Sequence, residues 1–289
     1  MTAPGARRVT SRTKAADGSM PLLEHLQELR RRLFYSLIAI AITLVVAYVF
    51  FEPILRFIDR PYCDLPRSRR LGGDKCNLVA FGVLDPFKIR LQLSLYIGIA
   101  LASPIWLYQL WAFITPGLHR NERRWALTFV ALSVGLFSAG GALAYLTLSK
   151  GLNFLLGAAG NDVTNLVPVD RYLSYVTAMV LVFGISFEFP LLLLMLNLTG
   201  ILSGDRMLRW WRGMVFGLTV FAAVATPSQD PFTMTALALP MIVLYFLTCF
   251  VARGLDKRKA RRRAEREQDT DAGPPDSERI EPSLEPLRD

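Results

Sequence analysis

Three carboxylates stand where a carboxylate needs a physical reason. The stretch VFGISFEFPLLLL, residues 182–194, is apolar at every position except Ser186 and Glu188, and Pro190 follows two residues later. An acidic side chain at the centre of a membrane helix costs about 2.5–3.5 kcal/mol on insertion scales. Glu188 is therefore expected to face protein, water or a cavity, charged or protonated. Pro190 removes a backbone donor from the same helix and leaves a carbonyl open to another partner. A buried carboxyl bonded to a neighbouring helix is the plain alternative.

The second carboxylate is Glu28, in PLLEHLQELRRRL at 21–33. Leu22, Leu26, Leu29 and Leu33 recur at helical spacing and predict an amphipathic helix lying at the membrane interface, with Pro21 in its first turn. Glu28 then has a modest explanation, an intrahelical pair with Arg31 or Arg32. The third, Glu122, lies in ITPGLHRNERRW at 114–125. Thr115, Pro116 and Gly117 end one helix, Asn121 can cap the next, and Glu122 suits the first turn of that helix through its dipole. Both carboxylates flank helix ends at the same membrane level, so they could also converge on one cationic ligand. Two carboxylates recognise guanidinium groups through charge-assisted forks, which makes a paired-arginine peptide the natural ligand.

Enzymatic chemistry finds no such support. His25 and His119 are the only histidines, and there is no HExxH pair, no GxxxxGK[ST] loop and no GxSxG elbow. No catalytic residue, metal site or cofactor is expected.

The elements that must position these residues are membrane helices. The chain has 289 residues, 52% apolar and 20% charged, with positive mean hydropathy, a balance that fits a polytopic membrane protein. A span needs roughly 17–25 apolar residues. Leu33–Phe51, Leu91–Ile114, Ala126–Ser149, Tyr172–Leu198 and Phe232–Ala252 qualify, and a shorter run, Gly213–Thr226, lies between the last two. Arg206, Arg209 and Arg212 precede that short run, and a basic stretch from Arg253 to Arg266 follows the last one, so both flanks read as cytoplasmic. The expected fold is all-α, with six transmembrane helices and both termini inside. More than twice as many of the 33 Lys and Arg then fall on the inner side as on the outer. The first outer loop, 52–90, departs locally from this bias with eight basic residues and is expected to be structured, its charge offset by Glu52, Asp59, Asp64, Asp74 and Asp85.

The formal charge of +9 collects at the termini and between apolar runs, which suits anionic lipid headgroups and argues against nucleic acid. Residues 1–20 lack the apolar core of a cleavable signal and are expected to form a disordered cytoplasmic lead. Residues 21–252 form the membrane domain, and 253–289 a disordered cytoplasmic tail. Cys63 and Cys76 flank a turn-rich stretch of the first outer loop, where a disulfide would persist and contribute about 3 kcal/mol; two unrelated thiols are the alternative. Cys249 is expected to be a small buried hydrophobe.

Taken in order, HLQELRRRL, SPIWLYQLWAFITPGLHRNERR, FGISFEFP, TPSQDP and ALPM resemble the TatC family of the twin-arginine, Sec-independent protein translocase. The resemblance spans nearly all of 21–252. It implies a concave, glove-like bundle in the bacterial cytoplasmic membrane, and a receptor that works with single-span TatA and TatB partners and draws on the proton-motive force. It implies that Glu28 and Glu122, with Arg30, Leu33, Phe113 and Pro116, bind the signal peptide of folded cargo. Glu188 matches a polar residue of the concave face and Asp230 the last outer loop, where a cap before Pro231 explains it equally well. Self-association and contact with membrane lipid are expected as well. The rival reading is a small-solute secondary transporter with Glu188 as proton carrier, but no second copy of the FEFP pattern marks an internal repeat. The Arg-rich, Lys-poor composition points toward a GC-rich bacterial genome.

Overall fold

The computed structural model describes residues 22–63, 82–114, 123–157 and 168–271. The described chain divides into two compact units, one ending at Ser186 and the other starting at Phe187.

In the first unit, α1 (Leu22–Val49) is one unbroken helix. The separate interfacial helix expected over 21–33 does not exist, because no glycine or proline interrupts 22–49 and the apolar and amphipathic stretches keep one register. The packing face of α1 is built from small residues: Ser36, Ala39 and Ala47 are buried, whereas Leu33, Phe34, Leu37, Ile42 and Val45 are exposed. Lipid tails are as apolar as leucine, so helices in a bilayer associate through close backbone approach and not through burial of bulk. The hydroxyl of Thr43 donates to the Gly98 carbonyl of the next long helix at 2.8 Å, and a Cβ on Gly98 would lie 2.9 Å from the backbone nitrogen of Leu44.

The first outer loop contains a helix that the sequence reading left as structured loop. Helix α2 (Phe51–Cys63) carries Pro61 in its interior, which frees the Phe57 carbonyl one turn earlier. The Tyr145 hydroxyl donates to that carbonyl at 3.0 Å, and the Tyr172 hydroxyl donates to the Ile58 carbonyl at 2.7 Å. Asp59, on the same helix, is largely covered, and burial raises its carboxyl from 3.8 to about 6. A carboxyl raised on folding binds its proton more tightly in the folded chain, so stability falls as pH climbs from about 4 to 6 and stays lowered above. Asp59→Asn is expected to raise thermal stability at pH 8 by on the order of 1–2 kcal/mol, allowing for partial exposure, and to lose that advantage near pH 4. Unfolding of the two proteins in the same detergent at both pH values checks this; an equal gap at both would refute it.

The second apolar run, expected as one span over 91–114, is two helices, α3 (Asp85–Leu101) and α4 (Ser103–Ile114), bent by 54°. Pro104 cannot continue the hydrogen-bond ladder of α3. The Trp106 indole donates to the Ile99 carbonyl across the break at 2.9 Å. Helix α5 (Arg123–Gly157) packs on α4 through Trp111, whose indole donates to the Ser133 hydroxyl at 2.9 Å. It also packs on α6 (Val169–Ser186), where Gly140 and Gly184 bring the two backbones together.

The second unit is organised by α10 (Pro231–Asp271), on which α7 (Phe189–Leu198), α8 (Gly204–Arg209) and α9 (Trp211–Ala225) pack. Leu237, Met241, Tyr245, Cys249 and Ala252 form the buried stripe of α10 at steps of four, four, four and three. Helix α10 continues well past Arg253, so residues 253–271 are helical where the tail was expected to lack structure. The alternation of Lys, Arg and Glu there is compatible with a solvated helix. The proposed lead, 1–20, and the tail beyond Asp271 lie outside the described residues.

Among the described residues, four helices are long and apolar enough to cross a membrane, and five if the bent α3–α4 pair counts as one span. Helix α9, with 15 residues, is about 22 Å long against a hydrocarbon core of about 30 Å.

Candidate functional site

At its N-terminal end α1 faces α4, and the residues between them form a small polar cluster in the first unit. Arg32 donates from Nε at 3.0 Å and from a terminal nitrogen at 2.5 Å, both to Oε1 of Glu28. The pair spans one helical turn, and each side chain keeps about a quarter of its surface exposed. Of the two expected partners for Glu28, Arg32 is the one the helix brings into register. Its other terminal nitrogen reaches Gln109 Oε1 on α4 at 3.4 Å, so the ion pair is tied to a second helix. One turn earlier, His25 stacks on Phe113 of α4 with ring centroids 4.4 Å apart and planes 21° from parallel. Both Arg32 bonds use one carboxylate oxygen; Oε2 of Glu28 takes no hydrogen bond among the described residues.

His25, Glu28, Arg32, Ser36 and Ala39 follow one another at three- and four-residue steps, so they share one face of α1. The sequence reading singled out Glu28 and Phe113, and the structure adds His25 and Gln109. His25 precedes Glu28 by one turn and Gln109 is the sole amide in SPIWLYQLWAFI, a signal that a search for polar residues within apolar runs would have found. Arg30 and Leu33 are exposed and point the other way: at about 100° per residue they lie on the far side of the helix from Glu28. Glu122 and Pro116 lie outside the described residues.

The remaining described candidates, Glu188 and Asp230, belong to the second unit. Glu188 is 6% exposed and stands at the break before α7, with Pro190 in that helix's first turn. The span expected over 172–198 is present as one apolar stretch, Val169–Leu198, with a two-residue turn at 187–188, where proline and the preceding residues loosen the helix. Asp230 caps α10. Its Oδ1 accepts the Thr233 amide at 2.9 Å, and its Oδ2 accepts the Ser228 and Thr233 hydroxyls, each at 2.5 Å. Burial alone would raise this carboxyl, but the donated bonds from Ser228, Thr233 and Phe232 outweigh it and hold the group below the usual carboxylate range.

Asp256 on α10 accepts from the Asn197 amide at 3.0 and 3.1 Å and from the Gly204 N–H at 2.8 Å, and Arg253 pairs with Asp205 at 2.6 Å. These bonds hold the connection between α7 and α8 against α10, a staple that the sequence reading missed because its partners lie about 50 residues apart or more. Cys63 is disulfide-bonded, Cys249 is free and buried, and Cys76 lies outside the described residues. Among the described residues no group of three or more His, Cys, Asp or Glu could hold a metal ion.

Several long apolar helices, polar groups held at helix ends and an interhelical hydrogen-bonded cluster define an all-helical protein of the multi-pass membrane class. Residues 24–240 match the family model described as Sec-independent protein translocase protein (TatC). The chain is 53% identical to a Sec-independent protein translocase protein TatC of Frankia casuarinae over 85% of its own length and 69% of the relative's. It is 37% identical to the chloroplastic protein TATC of Arabidopsis thaliana, covering 79% of this chain and 65% of that one. A crystal structure of the twin arginine translocase receptor TatC superposes with a TM-score of 0.67 at 31% identity, covering 79% of this chain and 99% of that one. The chain belongs to the TatC family, the protein translocase subunits of the Sec-independent route.

Proposed function

We propose that this protein is the receptor of a twin-arginine translocase in a bacterial cytoplasmic membrane. It crosses that membrane six times with both termini inside, α9 supplying a short span beside α10. The observation that carries the reading is the Glu28–Arg32 pair seated against α4: Glu28 is held in place by an arginine of its own chain through Oε1, while Oε2 keeps its lone pairs for another donor. Glu28 and Glu122 receive the two guanidinium groups of a signal peptide, with Phe113 and Pro116 shaping the wall on the α4 side. The surrounding segment, HLQELRRRL, is net basic, so long-range attraction works against the ligand. Selectivity must come from short, directional forks, which a guanidinium makes and an ammonium does not.

The apolar part of the peptide then lies along the membrane face marked by Glu188. Single-span partners of the TatA and TatB type, self-association and the proton-motive force complete transport of folded cargo. Short spans such as α9 thin the bilayer locally and lower the barrier to passage. The test is a binding titration of a signal peptide containing Arg-Arg, and of its Lys-Lys variant, to the purified protein with and without Glu122→Ala. Expected is tight binding only for Arg-Arg on the unaltered protein; equal binding in all four combinations would overturn the reading and favour a solute transporter.

Outside the receptor site, Cys63 pairs with Cys76 and closes the first outer loop behind α2. Alkylation before reduction is expected to label Cys249 alone under denaturing conditions, and after reduction all three cysteines. Three labels in the untreated sample would rule out the bridge.

A further inference from the structure

The outward face of α1 carries a second surface, distinct from the cluster facing α4. Gln27, Arg30, Arg31, Leu33, Phe34 and Leu37 line a groove of about 500 Å³. Arg30, Leu33 and Leu37 follow at steps of three and four, and Leu33, Phe34 and Leu37 are 56%, 62% and 54% exposed. Among the described residues neither Arg30 nor Arg31 pairs with a carboxylate, whereas Arg32 is already engaged by Glu28. The Arg31 guanidinium sits 5.7 Å from the centre of the Tyr35 ring, which keeps it close to the helix. From Arg30 to Leu37 the helix rises by about 10 Å, comparable to the distance from a lipid phosphate to the first few carbons of its chains.

We propose that this face binds one anionic phospholipid, its phosphate held between Arg30 and Arg31 with Gln27, and an acyl chain laid along Leu33, Phe34 and Leu37. Two positive charges above an apolar groove exceed what a zwitterionic headgroup neutralises, because its own ammonium cancels its phosphate. An acidic peptide would satisfy the arginines and leave the groove against solvent or other lipid. Only the choice of leaflet rests on the receptor reading, whose topology places this end of α1 at the inner surface.

The experiment is native mass spectrometry of the full chain exchanged into mixed micelles of phosphatidylglycerol and phosphatidylcholine, with glycerol phosphate as the chain-free control. The unaltered protein is expected to retain phosphatidylglycerol over phosphatidylcholine by roughly 10-fold, and glycerol phosphate not at all. The double variant Arg30→Gln, Arg31→Gln is expected to lose the preference, and Arg30→Lys, Arg31→Lys to keep most of it. Equal retention of the two lipids by the unaltered protein, an undiminished preference in the Gln variant, or retention of glycerol phosphate would overturn the proposal. No peptide enters the measurement, so its outcome is separable from that of the peptide titration.

Discussion

Bacteria carrying Glu28→Gln together with Glu122→Gln as their sole copy are expected to lose export of folded twin-arginine cargo by 100-fold or more. A charge-assisted bond to a buried or half-buried carboxylate is worth about 1.5–3 kcal/mol, and two such losses multiply to roughly that factor. Each single change should fall in between. The expectation for Glu28 has a further layer, because its present partner is Arg32. Neutralising Glu28 releases Arg32, which still reaches Gln109 on α4, so the α1–α4 contact survives and the loss should be in binding. Cargo retained inside the cell, at normal levels of the membrane protein, is the result that supports this; export at full rate would remove the basis of the proposed function.

The second large effect is structural. A Cβ on Gly140 would lie 2.5 Å from the Phe183 carbonyl oxygen, whereas one on Gly184 would meet the Phe137 ring at 2.8 Å. These two contacts look alike in distance and differ in what can yield. Gly140→Ala pushes on backbone, so α5 and α6 must separate; a loss of about 3 kcal/mol is expected, with Gly140→Val worse. Gly184→Ala pushes on a side chain, and Phe137→Leu should restore most of what it loses. Thermal unfolding of these variants and the unaltered protein in one detergent tests this, with Phe137→Leu also placed in the Gly140→Ala background. If Phe137→Leu rescued Gly140→Ala as well, the close backbone approach would not be what limits α5 against α6.

How much of this was legible in the sequence depended on whether the deciding contact was local. Apolar length placed α1, α5 and α10 because a bilayer demands a stated number of residues. Glu28 could be given an arginine partner, and the helical repeat explains why it is Arg32 and not Arg31. The cap at Asp230 follows from residues within one four-residue stretch, Asp230, Pro231 and Thr233. By contrast, Pro190 was read as loosening its helix while Pro104, in a run of the same kind, was passed over, and both end a helix. The register of α2 in the first outer loop depends on Tyr145 and Tyr172, more than 80 residues away. The packing faces of α1 were invisible to hydropathy because its buried residues are the small ones and its bulky residues face outward. The seat of Phe113 against His25 is a relation between two helices, which no periodicity within either could reveal.

The prolines of the first unit share one feature. Beside Pro104, at the break between α3 and α4, and Pro61, inside α2, the indole of Trp106 and the hydroxyl of Tyr145 fill the hydrogen-bonding positions nearby. At the α3–α4 bend, within a candidate span, an unmet carbonyl would let water in and soften the elbow; a capped one does not. The elbow between α3 and α4 is consequently braced, more bracket than hinge.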